Sequence, residues 1–160
     1  MELPKRKKIR LEGYDYASCG AYFVTVCVAD RNVLLWNTVG ADMIRPKKPP
    51  LSTCGETVKT AIEQISCYYA NVVVNKYCIM PNHVHMIIFI LPDENGRIIS
   101  APTLSVIIGS MKRWVSKQIG FSIWQKSFYD RIIRNEQGYR EAWQYIDENP
   151  LRWNQENDRA

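Results

Sequence analysis

Asn71-Val72-Val73-Val74-Asn75-Lys76-Tyr77-Cys78-Ile79-Met80, then Pro81-Asn82, then His83-Val84-His85-Met86-Ile87-Ile88-Phe89-Ile90-Leu91 is the stretch on which the fold turns. Both halves are rich in β-branched and aromatic residues, and the break between them suits a short connection. The reading is a β-hairpin whose return strand carries His83 and His85, the only two histidines of the chain. Residues i and i+2 of a strand share a face, so both imidazoles approach one point from one side while Val84 and Met86 face away. Neutral imidazole ligates transition metals and also serves acid–base chemistry. A structural pair, each ring hydrogen-bonded to a neighbour, is the competing reading.

Working outward, Ala21-Tyr22-Phe23-Val24-Thr25-Val26-Cys27-Val28 predicts a first strand, and Arg45-Pro46-Lys47-Lys48-Pro49-Pro50 a loop. A first helix is expected over about 56–70, with Val58, Ala61, Ile62 and Ile65 as its apolar stripe. Residues 92–96 read as a turn. A second helix is expected over 103–120, with Leu104, Ile107, Ile108, Met111 and Val115 at helical spacing and Gly120 at its end. Phe128-Tyr129-Asp130-Arg131-Ile132-Ile133-Arg134 predicts a fourth strand, and Asn135 an N-cap for a third helix that ends before Pro150. The order β-α-β-β-α-β-α predicts an α+β, ferredoxin-like split βαβ fold: an antiparallel sheet with helices mainly on one face. The other face would lie open to a flat, extended ligand.

At 160 residues the chain fits one domain, 1–160, with a basic arm at 1–12 and a C-terminal tail at 151–160. Hydrophobic residues at 46% and charged residues at 23% describe an ordinary globular protein. An excess of 21 Lys+Arg over 16 Asp+Glu favours polyanionic partners without naming one. The five cysteines, Cys19, Cys27, Cys54, Cys67 and Cys78, are odd in number and form no C-x-x-C pair. No disulfide framework or zinc ribbon is implied; Cys27 and Cys78, in apolar strand-like runs, read as buried thiols, and a cytoplasmic home is expected. No apolar run reaches the roughly 18 residues of a membrane span. No glycine-rich phosphate loop occurs, so no nucleotide cofactor is expected.

On the third helix, Tyr139, Ala142, Trp143 and Ile146 form a stripe expected in the core. Tyr145 falls on its flank, with Asn149 one turn beyond. Asn149 offers a carbonyl oxygen to a hard cation and Tyr145 a phenolic nucleophile. Tyr145 is also compatible with an interfacial tyrosine whose hydroxyl meets water. Lys5, Arg6, Lys7, Lys8 and Arg10 of the arm, with Lys112, Arg113, Arg131 and Arg134, are candidate phosphate contacts. Trp124, Tyr129 and Trp153 are candidate stacking platforms for bases. Trp114 and Trp124 read equally well as core, and the helix lysines as a solvated face.

Pro81-Asn82-His83-Val84-His85 resembles the His-hydrophobic-His motif of HUH nucleases. Taken with Trp124-Gln125, Phe128-Tyr129-Asp130, Ile133-Arg134-Asn135 and Tyr145-Ile146-Asp147-Glu148-Asn149-Pro150, it resembles the single-tyrosine transposases. Arg10-Leu11-Glu12-Gly13-Tyr14-Asp15-Tyr16 and Gly20-Ala21-Tyr22-Phe23-Val24-Thr25 are similar to the branch associated with repetitive extragenic palindromes. The resemblance runs from about residue 10 to 153, and 39–52 contributes nothing to it. The His motif alone is weak; the motifs in this order are specific.

The resemblance implies that His83 and His85 hold a divalent ion, magnesium or manganese, and that Asn149 stands at the third ligand's place. It implies that Tyr145 attacks single-stranded DNA at or near a hairpin, leaving a 5′-phosphotyrosine and a free 3′-hydroxyl. Free tyrosine titrates near 10, so attack would require help in removing the phenol's proton. Hairpin-bearing single-stranded DNA is the implied partner; monomer and homodimer, with the tyrosine acting in cis or in trans, both remain open. A histidine-triad hydrolase would need a histidine where Ile87 stands. A replication or conjugation nickase would usually need a larger chain. A non-catalytic hairpin-binding protein of the same fold is the alternative from another class.

Overall fold

Alternation and its interruptions decide which side chains meet the histidines. The computed structural model of the protein describes residues 20–37, 51–92 and 102–157, with side chains through Trp153. The arm with Lys5, Arg6, Lys7, Lys8 and Arg10, the loop before Leu51 and the turn after Pro92 lie outside the described residues. The elements are β1 (Gly20–Cys27), α1 (Thr53–Tyr68), β2 (Val72–Ile79), β3 (His83–Ile90), α2 (Leu104–Ile119), β4 (Tyr129–Ile133) and α3 (Glu136–Asn157). Every neighbouring strand pair is antiparallel, in the order β2-β3-β1-β4, which is the split βαβ arrangement expected.

On one face, Tyr22, Val24 and Val26 of β1 and Val84, Met86, Ile88 and Ile90 of β3 are buried. The stripes of α1 (Val58, Ala61, Ile62, Ile65) and α2 (Leu104, Ile107, Ile108, Met111, Val115) close over them. The helix ends follow from capping chemistry. Ser52 Oγ accepts from the Gly55 N–H at 3.1 Å, Thr103 Oγ1 accepts from the Val106 N–H at 3.2 Å, and Gly120 leaves α2 at φ 102°. No helix among the described residues is long and apolar enough to cross a membrane.

The opposite face is not open, as the sequence reading expected: α3 lies over β2 and β3. A register shift between Val74 and Lys76 makes this possible. Val72, Val74, Tyr77 and Ile79 pack into the larger core, whereas Cys78 belongs to the smaller one beneath α3. One extra residue in β2 therefore reverses the alternation and turns Lys76 and Cys78 toward α3. Ala142 and Ile146 bury against Cys78, Met80 and Ile87, and removing a side chain such as Ile146 would cost about 2–5 kcal/mol. Trp143, expected in that core, is 41% exposed and lies under Lys76 Nζ at 3.4 Å from the ring centroid.

Asn135 caps α3 as expected, its Oδ1 accepting from the Gly138 N–H at 2.7 Å. The expected stop before Pro150 does not occur, and the presumptive tail from Leu151 to Asn157 is helical. Pro150 has no N–H for the carbonyl four residues back, a loss of about 3 kcal/mol in an average helix interior. Tertiary contacts override it: Trp153 packs against the smaller core, and Arg152 pairs with Glu148 at 2.7 Å.

Candidate active site

Four elements meet at a cleft of about 350 Å³ lined by Thr25, Cys27, Arg31, His83, His85, Tyr129, Tyr145, Asn149, Arg152 and Trp153. Strand β3 supplies the histidines, β1 and β4 the floor beside them, and α3 the wall. The odd-numbered residues of β3 point to the α3 side because the even-numbered ones fill the larger core. Thr25 stands directly across from His85 in the β1–β3 register, and Tyr129 across from Thr25 in the β1–β4 register.

The two Nε2 atoms face each other at 3.1 Å. His83 Nδ1 lies 2.7 Å from Asn82 Oδ1, a carbonyl oxygen that can only accept, so this nitrogen carries the proton and donates it. His85 Nδ1 lies 2.8 Å from Thr25 Oγ1, which can donate or accept. With no cation between the rings, His85 donates its Nε2 proton to His83. Once His85 Nδ1 donates to Thr25, both Nε2 lone pairs are free to face a cation. Burial holds both imidazoles neutral at pH 7. The His83 pKa is pushed down to about 4 by burial and then by the Arg31 charge, that of His85 to about 3 by burial and then by His83.

These donors fit a divalent ion. With a metal–nitrogen distance of about 2.1 Å, a 3.1 Å separation corresponds to an angle of about 95° at the ion, close to that of octahedral neighbours. Asn149 lines the same cleft at 9% exposure, and its buried Nδ2 has no hydrogen-bond partner. A half-turn of that amide exchanges its nitrogen for its oxygen, so an amide oxygen is available as a third donor. Among the described residues, no third His, Cys, Asp or Glu joins the pair.

Tyr145 is 42% exposed, and its ring packs edge-on to His85 at 5.3 Å and to Phe23 at 5.9 Å between centroids. It is thus held by aromatic contacts while part of its surface remains open. Trp153 tilts toward His83 at 6.3 Å. Among the described residues no lining residue is acidic, while Arg31 and Arg152 are cationic.

Tyr145, His83, His85 and Asn149, the catalytic and metal-binding residues that the resemblance implied, therefore line one cleft. Tyr129 and Trp153 join them, but Trp124 is buried and unavailable for stacking on bases. Arg131 lies on exposed β4 with its guanidinium 5.2 Å from the Phe23 ring centroid, and Arg134 is exposed just beyond that strand. Lys112 and Arg113 are not brought to the cleft. Lys112 Nζ donates to the Gln125 and Ser127 carbonyls, each at 2.7 Å, fastening α2 to the segment before β4. Arg113 donates to Ser110 on its own helix. Thr25, Asn82, Arg31 and Arg152 escaped the sequence reading as site residues. Asn82 sits beside the motif and was within reach; Thr25 is identified only by the register, and Arg31 and Arg152 only by the folded cleft.

An uncharacterized protein of Haemophilus influenzae is 32% identical over 170 residues, covering 94% of this chain and 91% of that one. The solved structure of a REP-associated tyrosine transposase bound to a REP hairpin superposes with a TM-score of 0.62 at 22% identity. That likeness covers 94% of this chain and 74% of the other. No protein-family model matches the chain.

Proposed function

This chain belongs to one family with the Haemophilus influenzae protein and has the fold of a REP-associated tyrosine transposase, and we propose that it cleaves single-stranded DNA as a single-tyrosine HUH transposase. The observation that carries this reading is an accessible phenol packed against one of two neutral, converging imidazoles in a cleft to which the described residues bring no carboxylate. Hairpin DNA is the substrate favoured, because the transposase of like fold is bound to one.

A divalent ion, magnesium or manganese, held by His83, His85 and Asn149 would supply Lewis acidity toward the scissile phosphate. The protein groups do the rest. Tyr145 Oη forms the new bond to phosphorus as the bond to the 3′-oxygen breaks. The phenol's proton leaves to solvent, and the departing oxygen takes up a proton to become a 3′-hydroxyl. The DNA remains attached through its 5′-phosphate. One phosphoester replaces another, so the released hydroxyl can later reverse the exchange without ATP. Neutral imidazoles add no negative charge to repel the phosphate. Because Tyr145 and both histidines share a cleft within one chain, the tyrosine serves its own chain's histidines in this reading.

The test is incubation with a labelled single-stranded hairpin oligonucleotide and Mn²⁺, followed by denaturing electrophoresis. A covalent protein–DNA adduct is expected, absent in Tyr145→Phe and strongly reduced in His83→Ala. Binding without adduct formation would instead identify a hairpin reader that retains the fold.

A further inference from the structure

Directly after β1 the chain makes a short 3-10 turn, Ala29–Arg31, in which Asp30 and Arg31 have φ values of 54° and 55°. Two consecutive non-glycine residues in the left-handed region are uncommon and costly, and such strain concentrates where a side chain must be aimed. The turn is well fastened: the Arg31 N–H donates to the Val28 carbonyl at 3.1 Å, and the Val28 N–H to the Asn82 carbonyl at 2.9 Å. Asn82 also reaches back with its side chain, Nδ2 donating to the Arg31 carbonyl at 3.3 Å while Oδ1 accepts from His83. One amide thus ties the strained residue to the first imidazole.

The Arg31 side chain is exposed and lines the cleft. Arg152, the other arginine of the lining, is paired with Glu148, and Arg131 on β4 lies over Phe23. Arg31 has no carboxylate or aromatic partner among the described residues. Among the described residues, its guanidinium is the uncommitted cation of the cleft, and no acid lines that cleft.

Resting on the transposase reading, we infer that Arg31 binds a backbone phosphate of the DNA strand entering the cleft, with Asn82 fastening the Arg31 main chain beside His83. The planar fork of arginine suits the paired oxygens of a phosphodiester. The left-handed turn delivers that fork to the cleft.

The experiment measures hairpin-oligonucleotide affinity against salt concentration for the wild type, Arg31→Ala, Arg31→Gly and Arg140→Ala. The last removes an exposed cation that pairs, among the described residues, with Glu136 on the outside of α3, and so controls for net charge. The slope of log K against log salt is expected to fall by about 0.7 in both Arg31 variants and to stay unchanged in Arg140→Ala. Arg31→Gly is also expected to raise Tm by about 2–4 °C, because glycine relieves the left-handed strain. Loss of binding with a gain in stability is a signature that a merely structural arginine would not give. A wild-type salt slope in the Arg31 variants, or a wild-type protein that binds no DNA, would overturn the inference. Adduct formation in the same samples separates the two claims. A wild type that binds with this slope but forms no adduct contradicts cleavage alone, and normal adduct with unaltered slope contradicts Arg31 alone.

Discussion

Two imidazoles at 3.1 Å cannot both aim bare nitrogen lone pairs at each other unless a cation lies between them. The residues that decide the matter are Asn82 and Thr25, which hold the far nitrogens. Thr25→Val removes the acceptor that lets His85 free its Nε2 lone pair, and such outer partners are typically worth 10- to 100-fold in metal affinity. Calorimetric titration with Mn²⁺ should show a loss of that order with little change in Tm. Protonation gives a second expectation. Both rings have folded-state pKa values below the ordinary 6.5, at about 4 and about 3. Above pH 6.5 they are neutral whether folded or unfolded and contribute no pH dependence. Between 6.5 and 4 the unfolded chain binds protons that the folded one refuses, so stability falls as pH falls. Urea midpoints at pH 7 and pH 5 should show this decline, and it should shrink in the His83→Gln, His85→Gln double variant. The histidine pair was legible from its i, i+2 spacing on a strand, whereas Tyr145 and Asn149 were legible from spacing only as an i, i+4 polar pair on a helix flank and took their roles from the family resemblance. Thr25 and Arg31 were not: one depends on strand register and the other on a left-handed turn, and neither leaves a periodic trace.

Helix α3 carries the proposed nucleophile, so its seat on the sheet matters as much as its sequence. On one flank Lys76 Nζ sits over Trp143 and pairs with Asp147 at 2.9 Å, while the Tyr139 hydroxyl donates to Asn75 Oδ1. Tyr145 and Asn149 project on the other flank, into the cleft. Lys76 therefore sets the rotation of the helix about its axis. Its half-exposed ion pair and cation–π contact together stabilise by about 1 kcal/mol, so Lys76→Met should lower Tm by only about 2–4 °C. The rate of adduct formation at saturating DNA should fall more than that loss of stability would produce, with partial recovery in Lys76→Arg. An unchanged rate would show that the apolar contacts of Ala142 and Ile146 seat the helix unaided. The helix and its N-cap were readable, but its end was not. Pro150 is a sound local stop signal, overruled here by the packing of Trp153 and the Arg152–Glu148 pair. Trp143 misled for the opposite reason, since helical spacing places it near the buried stripe without saying where the sheet ends.

One sheet serves two cores, and the site lies where the smaller one stops. The larger core, against α1 and α2, was visible in the sequence as the apolar stripes of those two helices and the β-branched runs of the strands, and so was the strand–helix order that fixes the topology. Of the smaller core, the α3 stripe of Tyr139, Ala142 and Ile146 was readable, but its seat on the sheet was not, because that seat rests on the register shift in β2 that turns Lys76 and Cys78 toward α3. That shift converts a face expected to be bare into a half-covered one, with the cleft between α3 and the exposed Tyr129 and Arg131 of β4. A single strand of DNA thus has a wall as well as a floor to lie against, and the phenol comes from the wall. The most direct measurement is peptide mapping by mass spectrometry after reaction with a hairpin oligonucleotide and nuclease trimming. The account predicts a nucleotide linked through its 5′-phosphate to Tyr145 and to no other tyrosine. Linkage to a different residue, or an unmodified Tyr145 from a protein that has cut its DNA, would contradict it.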